Sequence, residues 1–264
     1  MNTALTATRV RHPELHARGR LIIHQVKYEQ LVFWRNPQAA FFTFALPVMF
    51  TVVFGLVFGG GGADSFFYGL SAMEYFVPII AALSIFGVCY GQLTLILAVR
   101  RHTGILKRLH GTPLPAWVYF GGLLATAVMI SLADVALIVA AGSLFGARLP
   151  DNWPATILTL VLGVASFCPL GVGVASLIRN AEAAPAVVQF VQLPLFLISG
   201  NFFPVHSAVL NDIAGIFPVR PFDQALLGPF SLHTGFDVHA LAILLAWGVA
   251  GTVLSVRFFR WDRS

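Results

Sequence analysis

Six apolar stretches, each long enough to cross a bilayer, dominate this chain: about 39–58, 75–99, 116–145, 154–178, 183–199 and 238–259. A hydrocarbon core needs about 20 apolar residues per helix. A polypeptide carrying six such runs must satisfy its backbone hydrogen bonds inside each run, and helices do so. Only 10% of the residues are charged while 58% are hydrophobic. A water-facing surface normally takes about a quarter charged residues, so the expected class is an all-α integral membrane protein. Internal prolines do not oppose this, because neighbouring helices can serve the freed carbonyls.

The charge distribution orients the spans. One face collects the N-terminus, the connections at 100–115 and 179–182, and the C-terminus. It holds Arg9, Arg11, Arg18, Arg20, Lys27, Arg35, Arg100, Arg101, Lys107, Arg108, Arg179, Arg257, Arg260 and Arg263, which is 14 of the 16 Lys and Arg residues. The other face holds Arg148 and Arg220. Lys and Arg are retained on the cytoplasmic side, so both termini are expected in the cytosol. An odd number of spans would mix the two groups. The net charge of +5 lies at span ends and in loops, with no recognisable nucleic-acid module, so no nucleic-acid partner is expected.

Residues 1–20 read as a flexible basic cytosolic arm and 21–264 as one transmembrane domain. No cleavable leader is expected, because the first apolar run is long enough to span. Over 21–35, Ile22, Val26 and Phe33 share a helical stripe, while Leu31 and Val32 fall elsewhere. Trp34 and Arg35 suit the headgroup layer. A helix along the inner membrane surface is expected, broken by Asn36-Pro37.

The connection RRHTGILKRLHGTPLP at 100–115 is short and basic. Ile105, Leu106 and Leu109 fall on one side of a short helix, with Arg101, Lys107 and Arg108 around it. Such a helix suits docking onto a cytosolic partner; a solvated loop that only sets orientation fits the same residues. The connection at 200–237 is apolar for a loop, with Phe202, Phe203 and Pro204 following Gly200-Asn201. It is expected to dip into or lie on the outer surface as short helices, or to pack on the helix ends.

No catalytic centre is visible. The chain has no GxxxxGK[ST] phosphate loop, no HExxH and no His/Cys spacing for a metal. Cys89 and Cys168 sit inside apolar spans and read as packing residues. Asp134 is the one carboxylate deep inside a span. Such groups are costly and are functional candidates: it could bind a cationic substrate, carry a proton, pair with a cation, or hold helices together through a hydrogen bond, for instance to Ser131. The last reading is preferred, because proton-coupled carriers use several such groups. Among 24 phenylalanines, most are expected to face lipid or other helices. Phe41, Phe42, Phe44 and Phe190, with Gln189, Gln192 and Asp134, are candidates for a substrate path.

Four fragments, FWRNPQAAFFTFALPVMF at 33–50, the 100–115 loop, ISGNFFPV at 198–205 with FPVRPFDQALLG at 217–228, and RFFRWD at 257–262, occur in an order that resembles the ABC-2 type permeases. These are the membrane subunits of bacterial ABC exporters, and the likeness is strongest to the drug and antibiotic export branch typified by the daunorubicin resistance permease. The resemblance implies six helices, pairing with a second copy or a close relative, and two separate cytosolic ABC ATPase subunits. The 100–115 loop (Arg101, Ile105, Leu106, Lys107, Arg108, Leu109) would be the coupling helix. The interfacial helix (Ile22, Val26, Phe33, Trp34, Arg35) would lie beside it. Gly200, Asn201, Phe202, Phe203 and Pro204 would open a re-entrant outer gate. No cofactor would bind this chain, ATP and Mg being held by the ATPases. The implied setting is the bacterial inner membrane, and the implied cargo a drug-like or antibiotic amphiphile. A lipid or lipid-linked glycan is the alternative cargo. An ATP-independent carrier would call for several intramembrane charges or an internal repeat, and a membrane-embedded enzyme for a catalytic set.

Overall fold

The computed structural model describes residues 14–59, 69–112, 114–200, 207–232 and 235–259. Every regular element among them is helical. Six helices are long and apolar enough to cross a membrane: Pro37–Phe58 (span one), Ala72–His102 (span two), Ala116–Ser143 (span three), Trp153–Leu177 (span four), Ala181–Ile198 (span five) and Val238–Phe258 (span six). They match the six apolar runs to within a few residues at either end. An N-terminal helix covers Glu14–Trp34, longer than the 21–35 expected from the sequence. Three short helices complete the set: Ile105–His110, Ala208–Ile216 and Val219–Ser231.

The helix starts carry their own signals. Asn36 accepts a hydrogen bond from the Ala39 amide, and Pro37 opens span one with its fixed φ. Ser71 and Glu74 form a reciprocal capping box on span two. Asn152 and Asp237 cap spans four and six by accepting from Ala155 and Ala240. Each cap satisfies an amide that the first turn leaves unpaired.

Span two is the hub. In its most apolar window 72% of the residues are buried inside the chain, against 17% for spans one, five and six. The peripheral three therefore present most of their apolar surface outward, to lipid or to another subunit. Span two is interrupted by a π-helical turn at Gly87–Gln92, flanked on both sides by α-helix. Nothing in the apolar pattern signals this turn.

Aromatic rings tie the hub to its neighbours. Phe86 stacks on Tyr90 at 4.9 Å and meets Phe167 of span four at 4.9 Å, and Phe167 meets Phe222 edge-on at 5.3 Å. Gly171 lets spans two and four approach: a Cβ there would lie 2.7 Å from the Cys89 carbonyl oxygen and 2.9 Å from that of Tyr90. Close backbone approach at small residues is how helices gain dispersion contact in lipid. Hydroxyls cross-tie spans four and six, Ser166 donating to the Leu244 carbonyl and Ser255 to that of Pro169, both at 2.8 Å. Cys89 and Cys168 are buried and unbridged, as packing residues would be.

At the end opposite the basic loop, Val219–Ser231 is buried along most of its length against spans two, four and six. The Asp151 and Asn152 amides donate to the Phe230 and Pro229 carbonyls, and Ser231 donates to that of Glu74. Arg148 pairs with Glu74 at 3.1 Å on the same rim.

Candidate functional site

Two regions stand out: the basic end of the bundle and a pair of adjoining cavities above it. At the basic end, span two stops at Thr103, whose amide donates to Val99. Gly104 has φ +72°, a left-handed turn that only glycine adopts cheaply. That turn redirects the chain into the helix Ile105–His110. Its side chains do not form one exposed apolar stripe. Leu106 is fully buried in the main apolar cluster of the bundle, Leu109 is half-buried against that cluster, and Ile105 is exposed. Leu106 therefore anchors the loop helix to its own chain and cannot contribute to a docking face, contrary to the sequence expectation. The surface this helix offers is Ile105 with the exposed Lys107 and Arg108. Arg101 turns inward, donating to the Ser176 carbonyl of span four at 3.2 Å.

Arg100 makes the strongest polar contact in the region. Its Nη1 and Nη2 donate to Glu29 Oε1 and Oε2 at 2.8 and 2.6 Å, and Nη1 also donates to the Tyr119 hydroxyl at 3.0 Å. Gln25 donates to Glu29 Oε1 at 2.9 Å. Glu29 is 3% exposed and Arg100 12%. The pair joins the N-terminal helix, span two and span three. Sequence reasoning missed Glu29. The stripe it found, Ile22, Val26 and Phe33, is the inward face of the N-terminal helix, and Gln25 and Glu29 lie in the middle of that face. An i,i+4 polar pair inside an apolar stripe was the available signal. Trp34 and Arg35 are exposed. Trp34 donates to Gln30 and stacks on Phe44 at 5.6 Å.

Above the ion pair, a cavity of about 570 Å³ lies between the N-terminal helix and spans one, two and three. Its floor is Glu29 and Arg100, and its walls are mostly apolar. A second cavity of about 250 Å³ lies deeper, among spans one, two, three and five. The polar groups on its wall are Thr43, Ser84, Gln92, Asp134, Gln189 and Gln192. The two cavities share Phe42, Thr43, Val88, Gln92 and Leu95. On that shared wall Gln92, from the π-helical turn, donates to the Thr43 hydroxyl of span one. Asp134 is fully buried. Its Oδ2 accepts from Ser84 of span two, and Oδ1 has no hydrogen-bond partner among the described residues.

Of the path candidates from the sequence, Phe42, Asp134, Gln189 and Gln192 come together on the deeper cavity. Phe41, Phe44 and Phe190 do not. Phe44 packs against Trp34 and Phe33, Phe41 lies on a shallow outer groove, and Phe190 is 81% exposed on the outward face of span five. The helical period puts Phe190 and Gln189 on different faces, which a candidate set picked by residue type ignored. The sequence reading also missed Thr43, Ser84 and Gln92; single hydroxyls and amides in apolar helices give no periodic signal. Asp134 bonds across to Ser84, while Ser131 contacts Cys89 instead. Gly200 takes a left-handed φ of +81° at the end of span five. Asn201, Phe202, Phe203 and Pro204 lie outside the described residues.

Among the described residues, no three His, Cys, Asp or Glu side chains gather closely enough to hold a metal ion. What the arrangement offers is two adjoining compartments between helices, a shared wall that carries the Gln92–Thr43 hydrogen bond, and a basic end whose Arg100–Glu29 pair lines the larger compartment. No curated protein matches the chain. The ABC-2 type transporter family matches residues 20–230, which takes in five of the six spans, both cavities and the basic loop. The chain is a membrane permease component belonging to the ABC-2 type transporter family.

Proposed function

We propose that this chain is the permease half of an ATP-driven exporter, carrying an amphiphilic, drug-like molecule outward under the action of two separate cytosolic ATPase subunits. The permease pairs with a second copy or a close relative, and the outward apolar faces of spans one and five suit that role. The basic rim faces the cytosol by the retention of Lys and Arg on that side. ATP and Mg belong to the ATPases.

The observation that carries the reading is the way the Ile105–His110 helix is fastened. Leu106 roots it in the bundle, Arg101 reaches span four, and Arg100 at the end of span two grips Glu29 of the N-terminal helix. Ile105, Lys107 and Arg108 are left outward. A push on that surface reaches spans two and four and the N-terminal helix together. The cationic pair steers docking, and Ile105 supplies desolvated contact. The cargo enters the larger cavity, whose apolar walls and polar floor fit an amphiphile, and passes the Thr43–Gln92 tie into the deeper one. The segment after Gly200, with the buried helix Val219–Ser231, closes the outer end as a re-entrant gate.

The test is transport in proteoliposomes with and without the ATPase subunits. ATP-dependent movement of a fluorescent amphiphile, absent with the permease alone, supports the reading. Solute flux by the unaccompanied chain at the same rate overturns it.

A further inference from the structure

The deeper cavity has an asymmetry of charge that the transport reading does not use. Its wall carries amides and hydroxyls from four residues besides Ser84. It carries one ionisable side chain, Asp134, and no Lys, Arg or His among the described residues. The neighbouring cavity adds no net charge, because Glu29 and Arg100 neutralise each other.

Asp134 is also incompletely satisfied. Ser84 serves Oδ2, while Oδ1 is buried without a hydrogen-bond donor. Buried polar atoms are nearly always paired, and an orphan in a native fold calls for an explanation. Inside a span, a carboxyl with no basic neighbour is a costly feature to keep. A carboxylate's own demand is for a donor bearing positive charge, since opposite charges attract far more strongly here than in water.

Resting on the permease reading, we propose that the deeper cavity is a binding site for the cationic group of the transported molecule, with Asp134 as its counter-charge. The ligand class is an amphiphile with one protonated amine. Asp134 is fully buried in this structure, so the ammonium reaches Oδ1 beside Ser84 only when the carboxyl turns toward the cavity. Gln92, Gln189 and Gln192 meet the hydroxyl or carbonyl groups of the ligand. Its apolar body runs along Phe42, Leu46 and Phe50 of span one. At about 250 Å³ the cavity falls just below the range of about 300–1,000 Å³ usual for small-molecule pockets. It therefore takes the charged end and the first part of the body, and the rest passes Phe42 on the shared wall into the adjoining cavity. Anions of the same shape are excluded by the same carboxylate.

The test is equilibrium binding, without ATP, to the full chain in phosphatidylcholine nanodiscs, with empty nanodiscs as the blank. The probes are dansylcadaverine and its N-acetylated form, in which a neutral acetamide replaces the ammonium. The unaltered chain is expected to bind the amine at least tenfold more tightly than the acetylated compound. Asp134→Asn, which keeps an oxygen to accept from Ser84, is expected to bring amine affinity down to that of the acetylated form and to leave the latter unchanged. Ser84→Ala, which leaves the carboxyl in place, is expected to retain the preference.

Equal binding of both probes by the unaltered chain overturns the proposal, and this measurement needs no variant to fold. So does equal weakening of both probes in Asp134→Asn, which would mark Asp134 as a structural tie only. Loss of the preference in Ser84→Ala also counts against it. ATP-driven movement of a neutral amphiphile in the proteoliposome assay is independent of these results. A failure here with that transport intact rejects the cation site alone, and the reverse pattern rejects the permease reading.

Discussion

Arg100 and Glu29, 71 residues apart, meet through two parallel charge-assisted hydrogen bonds of 2.8 and 2.6 Å. Tyr119 of span three supplies a third contact, its hydroxyl accepting from Arg100 at 3.0 Å and its ring lying 5.9 Å from the guanidinium. This fork geometry is what an arginine does well and a lysine does not. Three helices are thereby held at one point directly beneath the larger cavity. The tie lies four residues before the Gly104 turn that leads into the loop helix.

Breaking one half of that pair leaves a buried charge without a partner, which costs about 3–5 kcal/mol. Glu29→Gln and Arg100→Met are each expected to lower the thermal unfolding midpoint of the purified chain sharply. The double change Glu29→Met with Arg100→Met is expected to recover most of the stability, because apolar replacements of a buried pair are often neutral. ATP-driven transport is expected to stay impaired in the double variant. If transport returned with stability, the pair would be structural and not a transmission point.

Leu106 and Ile105 are neighbours with opposite roles, and substitution separates them. Leu106→Ala removes a fully buried side chain and should destabilise by about 2–5 kcal/mol. Ile105→Asp, at an exposed position, is expected to leave the unfolding midpoint nearly unchanged while abolishing co-purification of the ATPase subunits. Differential scanning fluorimetry and affinity pull-down check the two arms. A stable Leu106→Ala protein would contradict the anchoring role.

The hydrogen bond from Gln92 to Thr43 stands on the wall between the cavities. Thr43→Val keeps the shape and removes the acceptor, at a cost of about 1 kcal/mol. With Cys89 and Cys168 replaced by Ala and a single cysteine placed at Leu83 in the deeper cavity, Thr43→Val is expected to speed alkylation from the basic side several-fold. An unchanged rate would mean that the tie does not divide the two spaces.

Gly171→Ala tests the contact between spans two and four. The added methyl would meet the backbone carbonyl oxygens of Cys89 and Tyr90 within 3 Å. Backbone cannot step aside as a side chain can, so overpacking of about 1–3 kcal/mol is expected. The readout is a lower unfolding midpoint in detergent. Gly121→Ala, where nothing lies within 4 Å of the new atom, is the control expected to show no loss.

The spans were legible because hydrophobic length is a one-dimensional property: Pro37–Phe58 and Val238–Phe258 announce themselves in composition. The site was legible only in part. Asp134 was conspicuous as an acid in an apolar run, but its partner Ser84 lies 50 residues away and looks like any hydroxyl in a membrane helix. Leu106 was misassigned because helical spacing shows which residues share a side, and not whether that side faces the chain's own core. Glu29 was hidden by a face that reads as apolar and is in fact half polar.

The π-helical turn at Gly87–Gln92 has a bearing on everything below it in span two. Such a turn accommodates one residue more than the α-helix around it, and each residue of an α-helix advances about 100°. The azimuth of the last ten residues is therefore offset by roughly a quarter-revolution from that of an uninterrupted rod. Arg100 faces Glu29 at that offset. Deleting a single residue between 87 and 92 would re-phase the lower half of the span, swing Arg100 away from Glu29 and leave the upper half where it is. The length of this one turn thus sets the angular alignment between the mid-membrane chamber and the basic rim.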